Sequence, residues 1–151
     1  MALSTAGGEG RPAYLRPSLV GLVVLGGTVG TAVRDRLETA FATPAGQLPW
    51  ATFGINVSGA FLLGFLLEIL ALVAPEGRRR RALQLTFGTG LLGGYTTYST
   101  FVVEAIALGS HGTLPVAVGY VAVSVVAGFA AALVAMGATR AAVRATWKDA
   151  R

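Results

Sequence analysis

The sequence predicts an all-α membrane protein with four transmembrane helices and a broken third helix. Three observations carry the prediction. Hydrophobic residues make up 54% of the 151 and charged residues only 13%, about half the roughly 25% usual in a soluble domain. The apolar residues gather into four runs, at about 18–36, 48–74, 82–108 and 114–138. At about 1.5 Å of rise per residue, each run spans roughly the 30 Å of a bilayer's hydrocarbon core. Finally, the third run is interrupted by Gly93-Gly94-Tyr95-Thr96-Thr97-Tyr98-Ser99-Thr100-Phe101, two helix-weakening glycines followed by hydroxyls and rings where Leu, Ile and Val belong. Freed backbone groups at that depth must face protein, water or an ion.

Composition closes off several functions. With no cysteine there are no disulfides, thiol catalysis or Cys-based metal sites. The net charge of +5 does not point to nucleic acid, because the charges sit in the gaps between apolar runs, where topology explains them. The single His111 falls in a Gly/Ser loop and reads as solvated.

Residues 1–17 are small and polar, with Arg11 and Arg16, and form a flexible tail. The first run resembles a signal peptide, and Ala40-Phe41-Ala42 mimics a cleavage site. However, Arg34-Asp35-Arg36-Leu37-Glu38 separates the two, so the helix is retained. Gly26 and Gly30 give it the small-xxx-small spacing of close helix packing. A turn over Pro44–Pro49 leads into the second run, which holds Asn56 at depth and Glu68 twelve positions later. That separation is about 18 Å along a helix and places Glu68 at the far interface beside Arg78–Arg81. Asn56 has no such exit and needs a partner from a neighbouring helix or a permeating species. The third run comes after Arg78–Arg81. The fourth has Ser124 as its clearly polar side chain, together with Gly119 and Gly128, and a basic tail occupies 139–151. Short loops make successive helices antiparallel neighbours, with both termini on one side.

Charge sets the orientation. Ten of the twelve Lys and Arg residues lie on the side of the termini and the second loop; only Arg34 and Arg36 lie opposite. The excess puts the termini in the cytoplasm, and the Arg78–Arg81 run reads first as that topological signal. Arg34, just after the first run, is placed either to concentrate anions at a pore mouth or to snorkel to the interface.

On a helix, Tyr98 and Phe101 share a face, as do Thr97 and Phe101. Thr97, Tyr98, Ser99 and Thr100 supply uncharged donors, and ring edges carry partial positive charge. A column of hydroxyls, an amide and ring edges with no buried Lys or Arg suits a small anion that must be held only moderately. Carbonyls freed near the double glycine suit a hard cation instead.

These blocks resemble the small bacterial fluoride channels (Fluc/CrcB). The matching features are Gly26-Gly27-Thr28-Val29-Gly30 followed by Arg34, Gly54-Ile55-Asn56-Val57-Ser58-Gly59, Gly88 to Gly94, and Thr96-Thr97-Tyr98-Ser99-Thr100-Phe101. The resemblance runs from Leu19 to about Ala138, and the third-helix block is its specific part. It implies four-helix subunits paired as an antiparallel (inverted) dimer in the cell membrane, with fluoride as the permeant ion along two pathways. It also implies a central sodium ion, structural and not transported, bound by backbone carbonyls matching Gly93 and Thr96. The implied ion pathway is Asn56, Tyr98 and Phe101, with Ser99, Thr100 and the fourth-helix Ser124, and Arg34 in the vestibule. Glu104 stands where the family often has an acid. Tyr98 departs from the family's usual phenylalanine, which bears on rate more than on identity.

The expected function is therefore a fluoride-selective channel through which cytoplasmic fluoride leaves passively. A subunit that pairs with its own inverted copy should carry little Lys/Arg bias. A bias of ten to two instead predicts a homologous partner of opposite orientation. Three rival classes are weaker. A small proton-coupled exporter of cations needs a membrane-embedded acid, typically in its first helix, and none is there. A non-conducting subunit of a heterodimeric assembly would use the polar column as packing. An intramembrane enzyme lacks a catalytic set.

Overall fold

A computed structural model describes residues 17–44, 46–110 and 114–149, and every regular element in it is helical. The N-terminal tail with Arg11 and Arg16, the loop residue His111, and Arg151 lie outside the described residues. Helix α1 spans Pro17–Ala40 and α2 spans Trp50–Val73. The next segment begins as α3, Arg78–Leu83, widens into a π-helix over Gln84–Leu92, and ends as the single turn α4, Gly93–Tyr95. Backbone angles stay helical through both junctions. Thr96 is extended (φ −78°, ψ 155°), and α5 then covers Ser99–Ser110. The last helix, α6, runs over Leu114–Asp149.

Three of the helices, α1, α2 and α6, are long and apolar enough to cross a membrane. The boundaries differ from the apolar runs in instructive ways. α1 continues through Arg34-Asp35-Arg36 to Ala40, and the third segment starts at Arg78 rather than Ala82, because charged residues at the interface are good helix formers. For the same reason α6 continues past Ala138 as a helix. Its 36 residues amount to about 54 Å, well beyond a hydrocarbon core.

Two helix pairs make up the body. α1 lies along the π-helix and α4, and α2 lies along α6. Glycine sets the first contact: a methyl group on Gly26 would overlap the Thr86 carbonyl oxygen, and one on Gly30 would overlap that of Leu91. The two backbones therefore touch, as small-xxx-small spacing allows. In the second pair, Arg140 of α6 donates to Glu68 of α2 through Nε (2.6 Å) and a terminal nitrogen (3.0 Å). Glu68 thus meets an arginine, but from the fourth helix and not from Arg78–Arg81.

Much of the remaining surface is apolar. On α6, Val118, Val125, Phe129 and Leu133 are each more than half exposed. A helix that is hydrophobic on its exposed faces is covered by lipid or by another subunit. Trp50, exposed at the start of α2, stands at one end of the body, where an indole ring favours the headgroup level.

Candidate functional site

The site forms where the third segment loses its helix. The double glycine is not the break itself: Gly93 is helical (φ −66°, ψ −33°), and the chain departs only after Tyr95. Among the described residues no side-chain-bearing residue has a positive φ. The break needs no left-handed residue, and the polar groups it frees must find partners outside the helix.

That support comes from three neighbouring positions on α2. Asn56 Nδ2 donates to the Thr97 carbonyl, and Thr97 N–H donates to Asn56 Oδ1, both at 2.9 Å. One amide thus satisfies both backbone groups of one residue. Ser58 Oγ lies 2.8 Å from Tyr95 Oη. Because Ser58 gives its own proton to Ile55 O, the tyrosine is the donor. Gly59 faces the bend, where a methyl group would overlap Thr96 Cγ2. Residues 95, 96 and 97 are thereby fixed from a helix about forty positions away. An unpaired buried peptide group costs about 1–3 kcal/mol, so the pairing is what makes the bend tolerable at membrane depth.

Beyond the bend, buried Thr97 organises the hydroxyls. Its Oγ1 accepts from Thr100 N–H (3.2 Å), satisfying a free donor at the start of α5, and donates to Thr100 Oγ1 (3.0 Å). Ser99 Oγ lies 3.4 Å away. The rings continue the line: Tyr98 and Phe101 have centroids 6.4 Å apart, and Phe101 and Tyr120 of α6 are 5.3 Å apart, each pair tilted by about 40°. Tyr98 is 81% exposed and forms one wall of a cavity of about 700 Å³ between α5 and α6.

A second polar group lies on the same half of the molecule. Thr52, one turn before Asn56, is buried and donates to Glu104 Oε1 at 2.9 Å. Glu38 of α1 lies within electrostatic reach of Glu104. Arg34 Nε, Glu38 Oε1, Glu104 Oε2, Tyr120 Oη and Ser124 Oγ are buried without a hydrogen-bond partner among the described residues. Ser124 follows Tyr120 by one turn on α6. Unmet donors and acceptors are costly in a dry protein, and their concentration here marks a place suited to water or a polar solute.

The bend also leaves two carbonyls short of partners. The N–H groups that would close helical turns onto Gly93 O and Thr96 O belong to Thr97 and Thr100. They donate instead to Asn56 Oδ1 and Thr97 Oγ1. A cavity of about 290 Å³ lies beside them, lined in part by Asn56, Gly59, Gly93 and Thr96. Carbonyl oxygens without carboxylates are the donor set of a weakly bound hard cation. Among the described residues no three His, Cys, Asp or Glu side chains gather to offer another.

The structure thus brings Asn56, Ser99, Thr100, Tyr98 and Phe101 together around the bend, places Ser124 one turn after the Tyr120 ring that packs on Phe101, and leaves Arg34 on α1 with a buried unmet donor. Gly93 and Thr96 sit at the bend itself. Thr97, Thr52 and Tyr120 carry contacts that the sequence pattern did not assign. Tyr120 had a legible signal, a phenol one turn before Ser124 in an otherwise apolar run. Thr52 had none, since a threonine near a helix start is commonplace.

Comparison with known proteins gives a consistent result. Residues 21–137 match the family described as CrcB-like protein, Camphor Resistance (CrcB). The chain is 46% identical over 125 residues to the fluoride-specific ion channel FluC 1 of Cutibacterium acnes, covering 83% of this chain and 87% of that protein. It is 44% identical over 129 residues to FluC 2 of Leifsonia xyli subsp. xyli (84% and 88% covered) and 37% identical over 131 residues to FluC 1 of Streptomyces coelicolor (87% and 82% covered).

Proposed function

The chain belongs to the CrcB-like family, and from that premise we propose that it is a fluoride-selective channel of the cell membrane that lets cytoplasmic fluoride leave passively. The observation that carries the reading is the pairing of Asn56 with the Thr97 backbone. It fixes a helix break beside a run of neutral donors and ring edges, the surroundings in which a small anion exchanges hydration for moderate contacts. The four helical pieces of the third segment are read as one broken transmembrane helix. Asn56 retains one amide hydrogen beyond its bond to Thr97. With the Ser99 and Thr100 hydroxyls and the edges of Tyr98 and Phe101, it lines the path. Arg34 draws fluoride into the vestibule, and Ser124, with the Tyr120 phenol, extends the path along α6.

The carbonyls of Gly93 and Thr96 are the proposed ligands of a structural sodium ion, whose charge would hold the bend against its counterpart in an inverted dimer. Exposed Tyr98 and the apolar face of α6 supply surface for that pairing. The ten-to-two distribution of Lys and Arg gives one subunit one orientation, with termini in the cytoplasm. The partner in the dimer is therefore a homologue of opposite orientation.

The test is efflux from liposomes loaded with fluoride or chloride, with this chain alone, with an oppositely oriented homologue, and with both. Sodium-dependent fluoride efflux without chloride efflux, requiring both chains, is expected. Robust fluoride efflux from the lone purified chain would overturn the heterodimer and leave the channel standing. No efflux in any combination would overturn the channel.

A further inference from the structure

We infer that the Arg78–Arg81 corner is a binding site for the phosphodiester headgroup of an anionic phospholipid. A charge signal for topology needs only basic residues on one side of the membrane; it needs no pocket. Here there is one, a cavity of about 520 Å³ lined by Leu19, Glu76, Arg78, Arg80, Arg81 and Gln84, together with Gly77. Three of the four arginines face it, and Arg79 does not line it. Among the described residues none of these guanidinium groups has an ion-pair or hydrogen-bond partner. Glu76 is the one acid on the wall, so three cations against one carboxylate leave the pocket strongly positive.

Like charges packed into about one helical turn repel one another, and an anion between them relieves that repulsion. Guanidinium groups pair with phosphate oxygens two at a time, which favours a phosphate over a halide. The pocket's level selects its source. Arg78 comes four loop residues after α2, and the apolar run resumes at Ala82. The pocket therefore lies at the headgroup level of the bilayer. Leu19, buried at the start of α1, gives it an apolar wall of the kind a glycerol backbone and acyl root would cover. Basic pockets between helices at this level are suited to anionic headgroups.

The experiment is binding to the full purified chain in neutral detergent micelles, where insertion topology plays no part. The probes are phosphatidylglycerol, phosphatidylcholine and inorganic phosphate, monitored by native mass spectrometry with thermal melting as a check on folding. Phosphatidylglycerol is expected to bind at least about tenfold more tightly than phosphatidylcholine. R80Q and R81Q are expected to weaken it about tenfold each, with R79Q staying within about twofold of the parent. Equal weakening by R79Q would reduce the site to a diffuse field and overturn the proposal. Inorganic phosphate binding as tightly as the lipid would overturn the assignment to a membrane ligand. Equal binding of the two lipids would overturn it as well.

Discussion

At the residue scale, Asn56 carries the largest consequence. Its amide holds both the N–H and the carbonyl of Thr97. Asn56→Ala leaves two backbone groups unmet, at about 1–3 kcal/mol each if water stays out. Fluoride efflux from the assembled channel should fall steeply for Asn56→Ala and Phe101→Ala, while membrane fractionation still finds the protein inserted. Unchanged efflux in both would remove them from the pathway. Tyr98 is the contrasting case. Its ring is exposed in the subunit, so Tyr98→Phe should alter folding stability by less than about 0.5 kcal/mol while changing the fluoride rate; a shifted melting curve with an unchanged rate would assign the phenol to folding alone. The sequence made Asn56 and the 93–101 stretch legible because buried polarity stands out in an apolar run. It could not show what Asn56 binds: a backbone edge and a permeating ion make the same demand on an amide. Glu68 shows the same limit, since its charge called for an arginine and only packing could say that Arg140 supplies it.

At the element scale, the helices were readable from apolar runs and the π-helix was not. A single extra residue distributed over Gln84–Leu92 barely alters an apolar pattern. Deleting one residue from that segment should restore ordinary winding with little change of phase downstream, because the wide turns absorb the extra residue, and should leave the bend facing Ser58 and Asn56. The expected outcome is inserted protein that keeps its fluoride efflux; lost efflux would mean that the wide turns are needed for more than absorbing that residue. The α2–α6 contact offers a separate test. Glu68 is 7% exposed and its cation comes from Arg140, so Arg140→Met strands a buried carboxylate. The double change Arg140→Met with Glu68→Gln should therefore melt above Arg140→Met alone. A double variant that melts lower would show that the pair matters less than the packing of its side chains.

At the scale of the whole molecule, two features meet: a charge distribution that favours one orientation, and a last helix longer than the membrane is thick. A reporter fused to the C-terminus, active only in the cytoplasm, should be active in nearly every molecule; signal divided between cytoplasmic and periplasmic reporters would show that the subunit inserts both ways. The length of α6 has a use beyond topology. About 54 Å of continuous helix leaves about two turns beyond the headgroups, standing clear of the lipid like a mast. A small rigid domain grafted in helical phase onto that mast would be visible in single-particle images as a fixed landmark. Two masts on one face of a particle would mean parallel subunits, and two on opposite faces would mean inverted copies. One mast beside a bare partner would identify a mixed pair at a glance.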